Sequence, residues 1–368
     1  MEIFTLSGTS TSTSTSTSPF LSRFADGLLG KFISEGYQYE ANPMDNIRVV
    51  FNFIHPENPR PFRRKAQATF VVSIMEAVHR KEEPILKTAY PYLIRSLSNH
   101  LIYICHDESE TNVYFITPEQ GCYKTAFYPH DEGSFFQTLY NRLEPLASSQ
   151  LVIDNEFHDD LPEELWEGDD ITSKLSVAGQ RLDQMNLLPA PFPIQDYLSP
   201  RDMKHLKRLY GIGGLSYGNL SSRKDHTFWM SAAGCNKADM KTIGKDILLV
   251  KGYESASKAM HISVPSNLSP SRVSVDAIEH WMVYSEHPEI GAIIHIHAWI
   301  DGVKATEMNY PCGTIQLAEA VAKLINEQEE PARAIIGLKN HGLTITGPDL
   351  EDIFERIDGR ILPQVPMG

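Results

Sequence analysis

Cysteine and positive charge are both scarce in this chain of 368 residues. The four cysteines, Cys105, Cys122, Cys235 and Cys312, are scattered and form no Cys-x-x-Cys pair. That spacing indicates neither a disulfide framework nor a thiolate metal site, and it makes a reducing cytoplasm the expected compartment. Lys and Arg total 33 against 47 Asp and Glu, a net charge of -14. Nucleic acid is recognised by a clustered basic surface that displaces counter-ions from phosphates. The one basic cluster, Arg60, Arg63, Arg64 and Lys65, is short and interrupted by Pro61, so no nucleic-acid partner is expected. Long apolar runs are missing too. No run approaches the roughly 18 residues of a membrane helix, and the N-terminus lacks a basic stretch followed by an apolar one, so no membrane partner is expected. What is present, 42% hydrophobic and 22% charged residues, suits a globular protein with ample core and room for two domains.

The chain divides by composition. Strict Thr-Ser alternation from Thr9 to Ser18 offers no apolar side chain to bury, so residues 1–19 are expected to be a disordered tail. Residues 20–150 mix short strands (Ile47 to Ile54, Leu101 to Cys105, Val113 to Ile116, Cys122 to Phe127) with helical spacing around Ile85 to Leu97 and Phe135 to Leu146. They predict an α+β domain with no catalytic motif. Between Asp154 and Asp170 nine of seventeen residues are acidic. Calcium-loop spacing is missing there, and Pro189, Pro191 and Pro193 follow, so residues 151–197 read as an acidic, Pro-rich linker. A second domain, 198–368, opens on a helix begun by Ser199, Pro200 and Asp202 and running through Tyr210.

The second domain carries the chemistry. Its centre is His295-Ile296-His297 inside the apolar run Gly291 to Trp299. Run length and β-branched content make it a strand, and side chains two apart on a strand share a face. His341, in Leu338-Lys-Asn-His-Gly-Leu343, follows within reach of a neighbouring strand. Three neutral imidazoles at about 2.0–2.1 Å with a fourth position open are what catalytic Zn2+ requires. Upstream, Gly213 to Arg223 reads as a turn with accessible backbone N–H groups and the Asn219 amide, able to hold an anion, although such turns also occur without a ligand. Thr227 to Ser231 reads as a strand entering a turn at Ala233-Gly-Cys-Asn236, and Asp246 to Val250 as another strand. Val273 to Tyr284 reads as a helix capped by Ser274 with Asp276 in its first turn, a place the helix dipole favours for a carboxylate in any case.

Gly-Asn-Leu-Ser, an acidic residue opening a helix, His-x-His on the next strand and Asn-His-Gly on a later one together resemble the class II aldolase/adducin head family, over roughly Leu198 to Ile361. The resemblance implies a three-layer α/β/α domain with a mainly antiparallel sheet, an α/β (α+β) chain overall, and a homo-oligomer, usually a tetramer with interfacial active sites. It implies that His295, His297 and His341 hold zinc or another divalent metal, that Asp276 is the acid/base group or an extra metal ligand, and that Asn219, Gly234 and Ser274 line the substrate pocket. The implied activity is a lyase that cleaves or forms a C–C bond beside a carbonyl, through a metal-stabilised enediolate, on a small sugar-like or keto-acid substrate. Epimerases, decarboxylases and dehydratases of the family use the same logic. Adducin heads, which are binding modules, lack the metal ligands that this chain retains.

Some places depart from the family. Hydroxyl-bearing positions of the phosphate pocket read Ala233-Gly234 and Ser274-Val275. A carboxylate is then as good a substrate anion as a phosphate, with Arg272, Arg223 or Lys237 as its partner. Tyr310 is the sole tyrosine between His297 and Gly313, in a stretch shorter than that of the aldolases, and no proton-donor role follows for it. Twenty-seven residues follow His341, fewer than in many relatives, and the N-terminal domain is expected to cover the surface left. Leu350, Ile353, Phe354 and Ile357 predict one amphipathic helix there.

Overall fold

In the computed structural model the chain forms two compact units, residues 1–148 with 192–209 and 367–368, and residues 149–191 with 210–366. The structure describes residues 3–7, 18–41, 46–63, 69–77, 83–106, 110–118, 121–152, 154–185, 187, 196, 198–204 and 218–368.

The first unit is a mixed seven-stranded sheet, ordered β2-β1-β3-β4-β5-β6-β7, packed with helices. Its strands are β1 (Ile3–Ser7), β2 (Gln38–Tyr39), β3 (Val49–Phe53), β4 (Phe70–Ala77), β5 (His100–His106), β6 (Thr111–Ile116) and β7 (Cys122–Phe127), and its helices are α1 (Pro19–Ser34), α2 (Ile85–Arg95) and α3 (Glu132–Ser148). Pairing is parallel from β2 to β5 and antiparallel from β5 to β7. The core is aromatic: Phe4 and Phe51 from the sheet and Phe24 and Phe32 from α1 are essentially inaccessible. The α+β character of this unit, read from its sequence, matches these elements.

Two expectations need correction here. Residues 1–19 are not tail throughout. Ile3–Ser7 is a strand between β2 and β3, because Phe4 buries its ring against Phe32 and Phe51. Ser18 then caps α1, accepting from the Leu21 N–H at 3.0 Å ahead of Pro19 in the first helical turn. Most of the Thr-Ser repeat, residues 9–17, lies outside the described residues. The second correction concerns residue 198 as a domain start. Asp202 belongs to the first unit, where its carboxylate takes a bidentate fork from Arg95 at 3.0 and 2.7 Å. The helix continues to residue 204, and its expected remainder through Tyr210 lies outside the described residues.

The second unit is built on nine strands in the order β14-β15-β16-β13-β9-β10-β11-β12-β8. They are β8 (Asp154–His158), β9 (Gly218–Lys224), β10 (Thr227–Ser231), β11 (Ile247–Glu254), β12 (Ala259–Ser263), β13 (Ala292–Ile296), β14 (Lys304–Ala305), β15 (Ile335–Leu338) and β16 (Gly342–Gly347). Only the outermost pairs, β14 with β15 and β12 with β8, are parallel. Helices α5 (Ala277–Glu286) and α6 (Ile315–Asn326) cover one face, with Ile278, Val283, Leu317 and Val321 packed on Met230, Leu248, Ile262 and Ile293. Helices α4 (Asp170–Gln184) and α7 (Leu350–Ile357) cover the other, with Leu175, Leu182, Ile353 and Phe354 on Trp229, Leu249, Ile294 and Ile345. This is the expected three-layer α/β/α arrangement with a mainly antiparallel sheet.

The acidic stretch does not behave as a linker. Its first part is β8, paired with β12. Its end caps α4, where Asp169 accepts from the Thr172 N–H at 2.9 Å and from Lys224 Nζ at 2.9 Å. Its carboxylates are thereby used on strand and helix ends, where they remain partly hydrated while the intervening apolar residues pack. Among the described residues no helix is long and apolar enough to cross a membrane.

Candidate metal and acid–base centre

β13 lies inside the sheet of the second unit, between β16 and β9, and its alternation sets the site. Ile294 and Ile296 enter the core under α4 and α7, so Ile293 and His295 point to the α5 side. Directly opposite His295 stand Asn219 on β9 and Thr344 on β16. Cross-strand partners project from the same face, so Asn219, His295 and Thr344 form one polar row across three strands. α5 crosses that row with two carboxylates. Asn219 Nδ2 donates to Asp276 Oδ2 at 2.7 Å, and Thr344 Oγ1 donates to Glu279 Oε1 at 2.5 Å.

Two glycines permit the strand approach. A Cβ on Gly218, whose φ is +128°, would sit 1.8 Å from the His295 carbonyl oxygen, and one on Gly342 would sit 2.1 Å from that of Ile296. The Asn-His-Gly signature thus has a backbone reason. Asn340 takes a left-handed φ of 58° in the turn between β15 and β16, which Asn tolerates better than most residues, and the His341 N–H closes that turn on the Leu338 carbonyl at 3.0 Å.

His297 lies one residue past the end of β13, and His341 lies in the turn. The three imidazole centroids are 4.7 to 5.1 Å apart, and one nitrogen from each falls within 4.8 Å of the others. His341 Nε2 and His297 Nε2 are 3.2 Å apart. Tetrahedral ligands at about 2.0–2.1 Å stand about 3.4 Å from each other, so this spacing accommodates one small cation. His295 supplies the sharper observation. Its Nδ1 is 3.0 Å from the Leu343 carbonyl oxygen and so carries the proton. Its Nε2 is buried and makes no hydrogen bond. Burial, with the neighbouring His341, His297 and His280, holds the His295 pKa well below its ordinary value, leaving the neutral imidazole that metal binding needs. The donor set fits a divalent transition metal.

The remaining expected residues are placed as follows. Asp276 is the N-cap of α5 and not part of its first turn, and its side chain makes no capping bond. Ser274 is correspondingly not the cap. It is buried, and its carbonyl accepts from the Ala277 N–H at 3.1 Å. The helix starts late because Val273 is still extended, bridged to Ala232. That bridge brings Ala233-Gly234 alongside Arg272 to Ser274, with the Ala233 N–H on the Arg272 carbonyl at 2.9 Å. Asn219 lies within β9 and not in a turn, while residues 213–217 are outside the described residues. Among the suggested cations, Arg223 is committed to structure, donating to the carbonyls of Ile290, Tyr284 and His287 at 2.7 to 2.8 Å. Arg272 is exposed. Lys237 is buried, its pKa lowered by that burial and raised in part by Cys235 and Asp276 nearby.

Two residues of the site escaped the sequence reading. Cys312 Sγ lies 3.4 Å from His341 Nε2, a contact across 29 residues that no local pattern announces. Glu279 reads as the solvated face of a helix, yet it is 2% exposed. Burial and then the neighbouring Asp276 push its pKa up to about 8, against a lowering by the Thr344 hydroxyl. A carboxyl with a raised folded-state pKa favours the fold while protonated and loses that contribution as pH rises from its ordinary value of 4.5 through about 8. Glu279→Gln is therefore expected to flatten the alkaline fall in stability of the chelator-treated protein, by up to roughly 4 kcal/mol at one pKa unit per 1.36 kcal/mol. Urea midpoints at pH 5 and pH 9 measure it; equal pH dependence in variant and parent would place the titration elsewhere.

Comparison with known proteins bears on the same region. Residues 203–300 match the family model described as Class II Aldolase and Adducin N-terminal domain. The chain is 25% identical over 170 residues to the L-fuculose phosphate aldolase of Methanocaldococcus jannaschii, covering 41% of this chain and 82% of that protein. It is 24% identical over 167 residues to the L-fuculose phosphate aldolase of Methanococcus maripaludis, covering 40% and 81%. Among solved structures, an L-fuculose 1-phosphate aldolase aligns at 17% identity and a TM-score of 0.37, over 52% of this chain and 81% of its own.

Proposed function

We propose that this chain, whose C-terminal unit carries the class II aldolase/adducin domain, is a zinc-dependent lyase acting on a C–C bond beside a carbonyl in a small sugar-like or keto-acid substrate. The carrying observation is the convergence of His295, His297 and His341, with the His295 Nε2 buried and without a hydrogen bond. These three imidazoles would hold the ion. A divalent cation held there supplies a Lewis acid that polarises a carbonyl oxygen and stabilises the charge developing beside it.

The protein's own groups do the rest. Asn219 grips Asp276 Oδ2 and fixes the carboxylate plane. The N-terminus of α5 favours the charged form of that carboxylate, so it can take a proton at Oδ1 from the substrate and return it. Burial and then the neighbouring Asp276 favour the protonated form of Glu279, which would leave the negative charge of the pair on Asp276. Lys237, buried beside Asp276 with its pKa lowered by that burial, suits the anionic group of the substrate. That group can be a carboxylate as readily as a phosphate, since Ala233-Gly234 and Ser274-Val275 bring only one hydroxyl.

Zinc-loaded protein incubated with a short ketone or pyruvate-type donor and a panel of aldehydes should give C–C coupled products, read by mass spectrometry. An isomerised, decarboxylated or dehydrated product with no coupling would replace the lyase by a sister reaction at the same centre. Purified protein that takes up no divalent metal at His295, His297 and His341 would sink both.

A further inference from the structure

The acidic stretch carries a second cluster of donors, on the opposite face of the sheet from His295. β8 lies at the margin of the nine-stranded sheet, and Glu156 stands opposite His261 of β12. His158, two residues along β8, shares the face of Glu156. Met260 and Ile262 point into the core under α5 and α6, so His261 faces the other way.

The geometry is not that of an ordinary surface pair. A charged imidazole against a carboxylate closes to about 2.7–2.9 Å. Here His158 Nε2 is 3.6 Å from Glu156 Oε1, and His261 Nε2 is 3.4 Å from Glu156 Oε2. The two rings face each other with centroids 5.0 Å apart. Both Nε2 atoms are covered, and neither makes a hydrogen bond. The 3.4 Å from His261 Nε2 to Glu156 Oε2 matches the edge of a tetrahedron of ligands at about 2.0–2.1 Å from its centre, and the 3.6 Å from His158 Nε2 runs to the other oxygen, Oε1. One nitrogen or oxygen from each of the three residues falls within 4.8 Å of the others.

The surroundings leave room. Across from His261 on β11 is Gly252, where an added Cβ would meet nothing nearer than 3.8 Å. Glu156 is 54% exposed and the imidazoles 30% and 27%, so water can reach a fourth position. Asp160 is occupied elsewhere, accepting from Lys251 Nζ and Ser263 Oγ, and it anchors the chain just beyond the strand.

We propose that Glu156, His158 and His261 form a second metal site, selective for zinc or a similar transition-metal dication, that clamps the marginal strand β8 onto β12. Two imidazoles and one carboxylate are poor ligands for Mg2+ and Ca2+, which take oxygen donors. Bridging two strands whose nearest residues, His158 and Ala259, are 101 apart in sequence, such an ion would stabilise their pairing by an amount that grows with the logarithm of its affinity for the folded state.

Zinc titration of the full chain against a chromophoric chelator should count two ions per chain. His158→Ala and His261→Ala should each lower the count to one and leave coupling activity at His295, His297 and His341 unchanged. Glu156→Gln should weaken the second ion at least about tenfold. Zinc should also slow amide hydrogen exchange in β8 of the unmodified protein, a readout that does not depend on how the variants fold. One ion per chain, two ions retained in His158→Ala, or β8 exchange indifferent to zinc would each overturn the proposal.

Discussion

Asp276→Asn should lower kcat by about 10²- to 10⁴-fold, the span that a positioned general acid–base group contributes, with zinc content and thermal unfolding unchanged. The substitution keeps shape and hydrogen-bonding capacity but removes the proton-accepting charge. Asn219 donates to Asp276 Oδ2 at 2.7 Å, and an amide oxygen can accept the same bond, so the row Asn219–His295–Thr344 should stay assembled. The decisive comparison is turnover against bound metal in one preparation. Loss of zinc together with activity would make Asp276 a ligand in place of an acid–base group. Full activity with zinc bound would remove it from the mechanism altogether.

His341→Ala should cost more than about 100-fold in zinc affinity at the triad, beyond the 10- to 100-fold typical of residues that merely support ligands, and activity should fall to background at micromolar zinc. The turn that carries His341 is closed by backbone, from its own N–H to the Leu338 carbonyl, and depends on the left-handed Asn340. Removing the imidazole should therefore leave the β15–β16 hairpin intact. Competition titration gives the affinity, and circular dichroism checks the fold. Undiminished affinity would mean that His295 and His297 bind the ion with another donor, for which Cys312, 3.4 Å from His341 Nε2, is the nearest candidate.

Much of this centre was legible in the sequence because strand geometry is a strong filter. His295 and Ile296 sit in an apolar run whose period of two fixes the face of His295, whereas His297 falls in a bend one residue past the end of β13. The helix over Leu350 to Ile357 was equally plain, since its four apolar residues fall on one stripe. Where the reading failed, tertiary context supplied what local pattern lacks. β8 reads Asp-Asn-Glu-Phe-His, without a β-branched residue and rich in charge, and only its pairing with β12 makes it a strand. α5 begins later than its apolar spacing suggests because Val273 is drawn into a bridge with Ala232. Nothing local marks Glu279 as buried, because the Thr344 hydroxyl that donates to it is 65 residues away. Ile3–Ser7 was hidden beside a low-complexity stretch, although Phe4 is wholly buried.

The margins of the nine-stranded sheet have a bearing on solubility at high concentration. Unpaired strand edges are templates for adding strands from other molecules, and proteins blunt them by brevity or charge. One margin here is β14, only two residues long, and the other is β8, with exposed Asp154 and Glu156. Either end of this sheet therefore offers a poor seed for fibrillar growth, and the acidity that disguised β8 as a linker protects the fold from its own pairing tendency.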